Sequence, residues 1–204
     1  MLECDVARSI RTDDGRVRRP SHAWTPTVHA LLAHLRAAGV SGVPAPLAIT
    51  NEYEEVSRLS GDAGAACWPY QATEQGLRSA AHMLRRLHDA TISWVPPSDA
   101  VWGVPPTEPP EVVCHGDPGP WNMTWIDGQA AGLFDWDFCH PGPRLEDVAY
   151  ALGHLAPFRD DDTAMRWHGL PARPTAGADS KFPARSTASP SLVWSTRSST
   201  FRGW

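Results

Sequence analysis

Residues 112–150 hold the densest set of side chains able to do chemistry, between short apolar runs: VVCHGDPGPWNMTWIDGQAAGLFDWDFCHPGPRLEDVAY. Val112-Val113-Cys114 reads as a buried strand that ends in His115-Gly116-Asp117; Pro118-Gly119-Pro120 then forces a turn, and Trp121-Asn122 follow. Residues 123–126 read as a second short strand, and Asp127-Gly128 as a two-residue hairpin turn, because both residue types tolerate the positive φ such a turn needs. Residues 131–134 read as the returning strand, which delivers Asp135 and Asp137 at its end. Such a hairpin folds Asn122 back toward Asp135, so Asp117, Asn122 and Asp135 converge. One carboxylate and one amide oxygen from opposite ends of a hairpin make a hard-oxygen site suited to Mg²⁺, which binds through few protein ligands plus substrate phosphates. A second carboxylate, held in the preceding loop, can accept a proton from an incoming hydroxyl. Phosphoryl transfer needs this division of labour.

Other readings of the same residues stay open at this point. HGD before Pro-Gly-Pro also describes a polar turn with no chemistry. His115 and Asp117 stand two apart and face one side of an extended chain; with Asp135, Asp137 and His140 they would make a metal-dependent phosphoesterase. A zinc site from Cys114-His115 and Cys139-His140 is disfavoured, because adjacent strand residues point to opposite faces and no C-x-x-C spacing is present.

His115-Gly116-Asp117 with Asn122 resembles the H-G-D-x-x-x-x-N catalytic loop of the aminoglycoside phosphotransferase / choline kinase-like family. Phe134-Asp135-Trp136-Asp137 resembles that family's metal-binding [ILF]-D-[WF]-[DE] segment, and residues 142–150, GPRLEDVAY, its G-x-x-x-x-D-[VL]-A helix start. Three motifs in order at short spacing are specific where each alone is weak, and the resemblance runs over residues 17–170. It implies an α+β, protein kinase-like two-lobe fold with a reduced N-terminal nucleotide-binding lobe over 1–60 and a mostly helical catalytic lobe over 61–170; composition, rich in Ser, Thr, Pro, Arg and Ala, separately suggests an irregular tail over 171–204. It implies Asp117 as catalytic base, Asn122 and Asp135 as holders of Mg²⁺, His115 and Asp147 as structural supports of the loop, and Asp137 as a second acid. ATP or GTP would donate the phosphoryl group, and a small hydroxyl-bearing molecule (aminoglycoside-like, sugar or amino-alcohol) would accept it. The competing class is a degenerate, non-catalytic relative of immunity type that binds a nucleotide or peptide.

The elements that must position these residues read as follows. Arg16-Val17-Arg18-Arg19-Pro20 alternates as a strand would, and stops at proline. In the family's layout this strand carries a phosphate-contacting Lys; the chain's one Lys is Lys181, so Arg18 or Arg19 stands in as the nucleotide-binding cation. Residues 25–38 read as a helix with Thr25 as N-cap, Pro26 at the first position, an apolar face of Val28, Leu31, Leu32 and Leu35, and Gly39 as terminator. The family's helix Glu is absent there, and His29 and His34 read as helix-surface residues. Residues 43–49 lead into a strand, 51–55 form a polar turn, 56–59 the next strand and 60–62 a break. Residues 67–70 are an aromatic linker. Residues 73–90 read as a helix with Leu77, Ala80, Ala81, Leu84 and Leu87 inward and His88 structural; 96–110 as a stiff Pro-rich linker; 145–155 as a helix with Leu145, Val148, Ala149, Leu152 and Leu155 on one face. Asp160-Asp161-Asp162 is an acidic turn and 165–168 the start of a further helix. Beyond Leu170 no period survives, which suggests an end truncated or frame-shifted relative to the family.

Composition narrows the function class. A net charge of −5 leaves no basic footprint for nucleic acid. The first residues include acids and no apolar leader core, and no run of about 18 apolar residues exists to span a membrane. Cys4, Cys67, Cys114 and Cys139 have no framework spacing, which points to free thiols and a cytoplasmic setting.

Overall fold

Charge complementarity between neighbouring strands sets the N-terminal sheet. A computed structural model describes residues 10–155 and residue 166. All of these lie in one unit that runs from Met1 to Pro174. Strands β1 (Arg11–Asp13) and β2 (Arg16–Pro20) form a hairpin across Asp14-Gly15, both at positive φ. β3 (Pro46–Ile49) and β4 (Tyr53–Ser57) complete an antiparallel sheet of order β1-β2-β4-β3. The register sets Arg18 opposite Glu55 and Arg19 opposite Glu54. Opposite charges directly across a strand pair stabilise it, and this corrects the turn expected over 51–55. Glu54 and Glu55 lie inside β4, which ends at Ser57 rather than Leu59.

Helix α1 (Thr25–Ala37) carries Pro26 in its first turn, and Gly39, at φ 77°, follows its end. Its N-cap is Trp24 without a side-chain cap; the Thr25 hydroxyl instead accepts from the His22 amide at 2.9 Å. Val28, Leu31, Leu32 and Leu35 are buried as the apolar spacing requires. His29 is not a surface residue: it is 8% exposed, because Glu54 lies beneath it. The aromatic linker is helical, a 3₁₀ turn at Ala65–Cys67 running into α2 (Trp68–Gln71).

Helix α3 (Glu74–Thr91) is capped by Thr73, whose hydroxyl accepts from the Gly76 amide at 2.9 Å. Ala80, Leu84 and Leu87 are buried as expected, but Ala81 is exposed and Met83 fills the inward stripe. β5 (Val112–Cys114) pairs antiparallel with β8 (His140–Gly142), and β6 (Met123–Ile126) with β7 (Gln129–Leu133) across Asp127-Gly128, both at positive φ. Two backbone connections tie this hairpin to the first half of the chain: Leu133 donates to the Gly42 carbonyl at 2.8 Å, and Asp62 and Trp125 exchange a pair of bonds. Trp125, Met123 and Leu133 are each at most 1% exposed at the centre of the core.

Helix α4 (Arg144–Leu155) is rotated away from the expected apolar stripe. Leu145 is 72% and Leu152 40% exposed, while Asp147, Ala151 and Leu155 are buried. Asp147 must face inward to meet three donors, and this polar requirement outranks the leucines. Among the described residues no helix is long and apolar enough to cross a membrane. The acidic turn at 160–162, the helix start at 165–168 (apart from helical Arg166) and the tail over 171–204 lie outside the described residues.

Cys67, Cys114 and Cys139 are free and buried. Burial pushes the Cys114 thiol up to about 12 and raises those of Cys67 and Cys139. A thiol reagent at neutral pH is therefore expected to leave all three unmodified in the native chain and to label all three after denaturation, as read by mass spectrometry. Native-state labelling of Cys114 or Cys139 would show that the β5–β8 pair opens.

Candidate active site

The loop after β5 is held from below by one carboxylate. Asp147, 1% exposed, accepts from the His115 amide at 2.7 Å, the Gly116 amide at 2.9 Å and the His88 ring at 2.9 Å. Burial works to raise the Asp147 pKa, but the His88 hydrogen bond, the His115 ring and the two amides outweigh it, and the carboxyl sits below its ordinary range. The His115 ring lies against Trp136, with Nε2 3.0 Å from the Phe134 carbonyl and Nδ1 accepting from the Asp117 amide at 3.3 Å. Burial lowers its pKa. With both ring nitrogens engaged, His115 orients the loop and is not free to carry protons. Gly116 has φ 82°, and a Cβ there would meet the Phe138 carbonyl at 2.3 Å, so only glycine lets the chain turn here.

Asp117 and Asn122 meet directly. The Asn122 amide nitrogen donates to the Asp117 carboxylate at 2.9 Å and to the Asp117 carbonyl at 3.0 Å, which leaves the amide oxygen as the atom suited to a cation. Trp121 donates to both carboxylate oxygens at 3.1 Å, and the Tyr150 hydroxyl to one of them at 2.5 Å. Burial and this bond raise the Tyr150 pKa, so the phenol stays a donor. The Phe134 amide donates to the Asn122 carbonyl at 2.9 Å, so the hairpin sets the residue before Asp135 beside Asn122.

Asp135 itself has φ 63°, a left-handed conformation that aspartate adopts more readily than most residues. Its carboxylate pairs with Arg19 at 2.8 Å. The other branches of the same guanidinium reach Asp137 at 3.0 Å and Glu54 at 2.7 Å. Burial works against the charge on Arg19, and the Asp137, Glu54 and Asp135 carboxylates outweigh it, so its pKa is raised. Three formal carboxylates around one guanidinium leave a formal excess of two negative charges, which one divalent cation would balance. The donor set fits Mg²⁺: Asp135 and the Asn122 oxygen are hard-oxygen ligands, and this ion takes one or two carboxylates and completes its shell with water and phosphates.

Arg19, Asp135 and Asp137 open on a cleft of about 680 Å³ lined also by Val17, Val28, Leu32, Val56, Leu59, Thr124 and Phe134. That is the size and mostly apolar character of a small-molecule site. Arg18, the other candidate cation, is not among the lining residues. It is half exposed, pairs with Glu55 and lies 4.2 Å over the Tyr53 ring, since neighbouring strand residues point to opposite faces.

The metal-hydrolase grouping does not assemble. Both ring nitrogens of His115 are occupied, as are those of His140, by the Phe138 carbonyl and Glu146. Among the described residues no group of three His, Cys, Asp or Glu is placed to hold a metal ion. The sequence reading also missed four participants: Trp121 and Tyr150 on Asp117, and Glu54 and His29 behind Arg19. The matching doublets Arg18-Arg19 and Glu54-Glu55 were a usable signal for Glu54. Tyr150, three residues after Asp147 on one helix face, was one for itself.

The model of the family described as Phosphotransferase enzyme family matches residues 98–176, which include Asp117, Asn122, Asp135 and Asp147. The Trifolitoxin immunity protein of Rhizobium leguminosarum bv. trifolii is 36% identical over 158 residues, covering 74% of this chain and 60% of that protein. The chain thus spans about 60% of the length of this curated relative. The solved structure of an aminoglycoside phosphotransferase from Streptomyces rimosus matches with a TM-score of 0.51 at 14% identity, over 76% of this chain and 80% of that one. A macrolide 2′-phosphotransferase from Brachybacterium faecium matches with a TM-score of 0.48 at 16% identity, over 66% and 62%. The fold is α+β and kinase-like.

Proposed function

We propose that this chain, related to the phosphotransferase family and built on its kinase-like fold, moves the γ-phosphoryl group of a Mg²⁺-bound nucleotide to a hydroxyl of a small molecule. The observation that carries this reading is the meeting of Asp117 and Asn122 in one loop, with Asp135 beside an arginine at the cleft. Asn122 and Asp135 would hold Mg²⁺, which when bound would supply charge neutralisation on the nucleotide's phosphates. Arg19 occupies the position of the missing strand lysine and takes up phosphate oxygens bidentately. Asp117 orients the incoming hydroxyl, which displaces one of the three donors now on its carboxylate, and accepts its proton as the oxygen attacks phosphorus. His115 and Asp147 keep the loop in register. The donor is ATP or GTP and the acceptor an aminoglycoside-like compound, a sugar or an amino-alcohol. A cytoplasmic setting, where the nucleotide is and where three buried thiols stay reduced, is part of the proposal.

One observation favours a second reading. The curated relative at 36% identity is named for immunity rather than for transfer. In that reading the chain binds a nucleotide or a peptide and protects without turnover, and Arg19 stays latched on Asp135 and Asp137.

A thermal melt of the chain with Mg²⁺, ATP and GTP, singly and together, tests the nucleotide binding that transfer requires, and release of the nucleoside diphosphate in the presence of an acceptor then separates transfer from binding without turnover. A ligand that binds only the folded form raises the midpoint, by about 5–10 °C at a hundredfold excess over Kd. Phosphoryl transfer expects this rise with metal and one nucleotide together. No rise with either nucleotide would sink it.

A further inference from the structure

The geometry points to His29 as the residue that, through Glu54, aims the Arg19 guanidinium and thereby sets the affinity of the cleft for a nucleotide's phosphates. This deepens the phosphotransfer reading and rests on it.

Glu54 is 1% exposed, and its two oxygens have separate partners. Oε1 accepts from Arg19 Nε at 2.7 Å, and Oε2 lies 2.8 Å from His29 Nε2. A carboxylate only accepts, so the imidazole must carry its proton on Nε2. A carboxylate this far from water needs a donor on each oxygen. The bond to Nε matters for direction. The guanidinium is planar and rigid, so fixing Nε fixes the plane and the aim of both remaining nitrogens. Those nitrogens point at Asp135 and Asp137, at 2.8 and 3.0 Å, where the cleft opens.

The chain of contacts therefore runs from helix α1 through strand β4 to strand β2 and ends in the cleft. It stands where the family resemblance led one to expect a strand lysine paired with a helix glutamate. The acidic member sits on the strand here, and the helix contributes a ring N–H that steadies it. If His29 were lost, Glu54 would keep one partner and could turn, and the arginine fork would lose its fixed plane. Arg19 would then no longer be delivered to the phosphates in one orientation. His29 touches no ligand in this scheme; it is a positioning residue.

The test uses the full chain and Mg²⁺ with ATP and with GTP, titrated calorimetrically into the wild type, His29→Gln, His29→Leu and, as a surface control, Arg18→Ala. His29→Leu is expected to weaken Mg-nucleotide binding by about tenfold, the lower end of what losing an outer-shell partner costs a site. His29→Gln keeps an N–H donor and is expected to stay near the wild-type value, as is Arg18→Ala. A merely structural histidine would lower the melting midpoint of His29→Leu without this rescue pattern in affinity. A second readout needs no ligand: the Arg19 Nε–H should appear in proton–nitrogen spectra as a slowly exchanging resonance in the wild type and in His29→Gln. Exchange as fast as that of an exposed arginine would overturn the inference even if His29→Leu fails to fold. Wild-type binding with His29→Leu unchanged overturns this inference alone. Absence of binding to either nucleotide in the wild type overturns the phosphotransfer reading and this inference with it.

Discussion

Replacing Asp117 with alanine is expected to lower turnover by about 10²–10⁴-fold, the usual contribution of a positioned general base, while nucleotide affinity barely changes. The separation follows from the site. Asp117 bonds to Tyr150, Trp121 and Asn122 and to no residue of the Arg19 cluster, whereas Arg19, Asp135 and Asp137 line the cleft. Half-buried Asp117 also leaves room for water to take up the three donors once the carboxylate is gone. Steady-state rates with calorimetric nucleotide affinities check this. Parallel loss of both would mean that Asp117 supports the cleft rather than the transfer, and unchanged protection by Asp117→Ala in an immunity assay would favour the non-catalytic reading.

Removing the carboxylate of Asp147 is expected to damage the fold itself. Asp147→Ala strands three donors in a place that is 1% exposed: the His88 ring and the His115 and Gly116 amides. Breaking a buried ionic or hydrogen-bonded group in this way costs about 3–5 kcal/mol, against a total stability on the order of 5–15 kcal/mol for a domain. Denaturant unfolding should show a lowered midpoint and a loss of stability of this amount, and Asp147→Asn should do little better, since half its amide is one more donor among donors. The pH dependence has a definite sign. The folded-state pKa is depressed, so the stabilisation is fully present above the unfolded value of about 3.9 and is lost as pH falls through the folded value. Acid unfolding of the wild type should therefore steepen below about pH 4, and the Asp147→Asn variant should lack that component. A variant as stable as the wild type at neutral pH would mean that the loop is held by something other than this carboxylate.

Much of this arrangement could be read from the chain because turns and strands leave local marks. Asp127-Gly128 announced the β6–β7 hairpin, which by itself sets Met123 opposite Leu133 and carries Asn122 to the neighbourhood of Asp135. Thr73 and Gly39 marked one end each of two helices. The failures have a common cause, which is that pairing partners lie far away in sequence. A polar run at 51–55 looks like a turn until Arg18 and Arg19 are laid across it. Alternation says that these arginines face opposite sides, but only the packed sheet says which side is the cleft. His29 looks exposed on a helical wheel until Glu54 arrives from a strand 25 residues on. Leu145 and Leu152 of α4 lose the interior to one aspartate, a trade that hydrophobic periodicity cannot register.

The anchoring of the His115–Asp117 loop by Asp147 also dictates an order of events during synthesis. His115 leaves the ribosome 32 residues ahead of the side chain that binds its amide. At about 5–20 residues per second that is a gap of about 2–6 seconds in which the loop exists without its clamp. Over that interval Asp117 is held only from within its own loop, by Trp121 and Asn122, and lacks the hydroxyl that Tyr150 brings from α4. The residues that line the cleft, up to Asp137, are thus all synthesised before the carboxylate that clamps the loop.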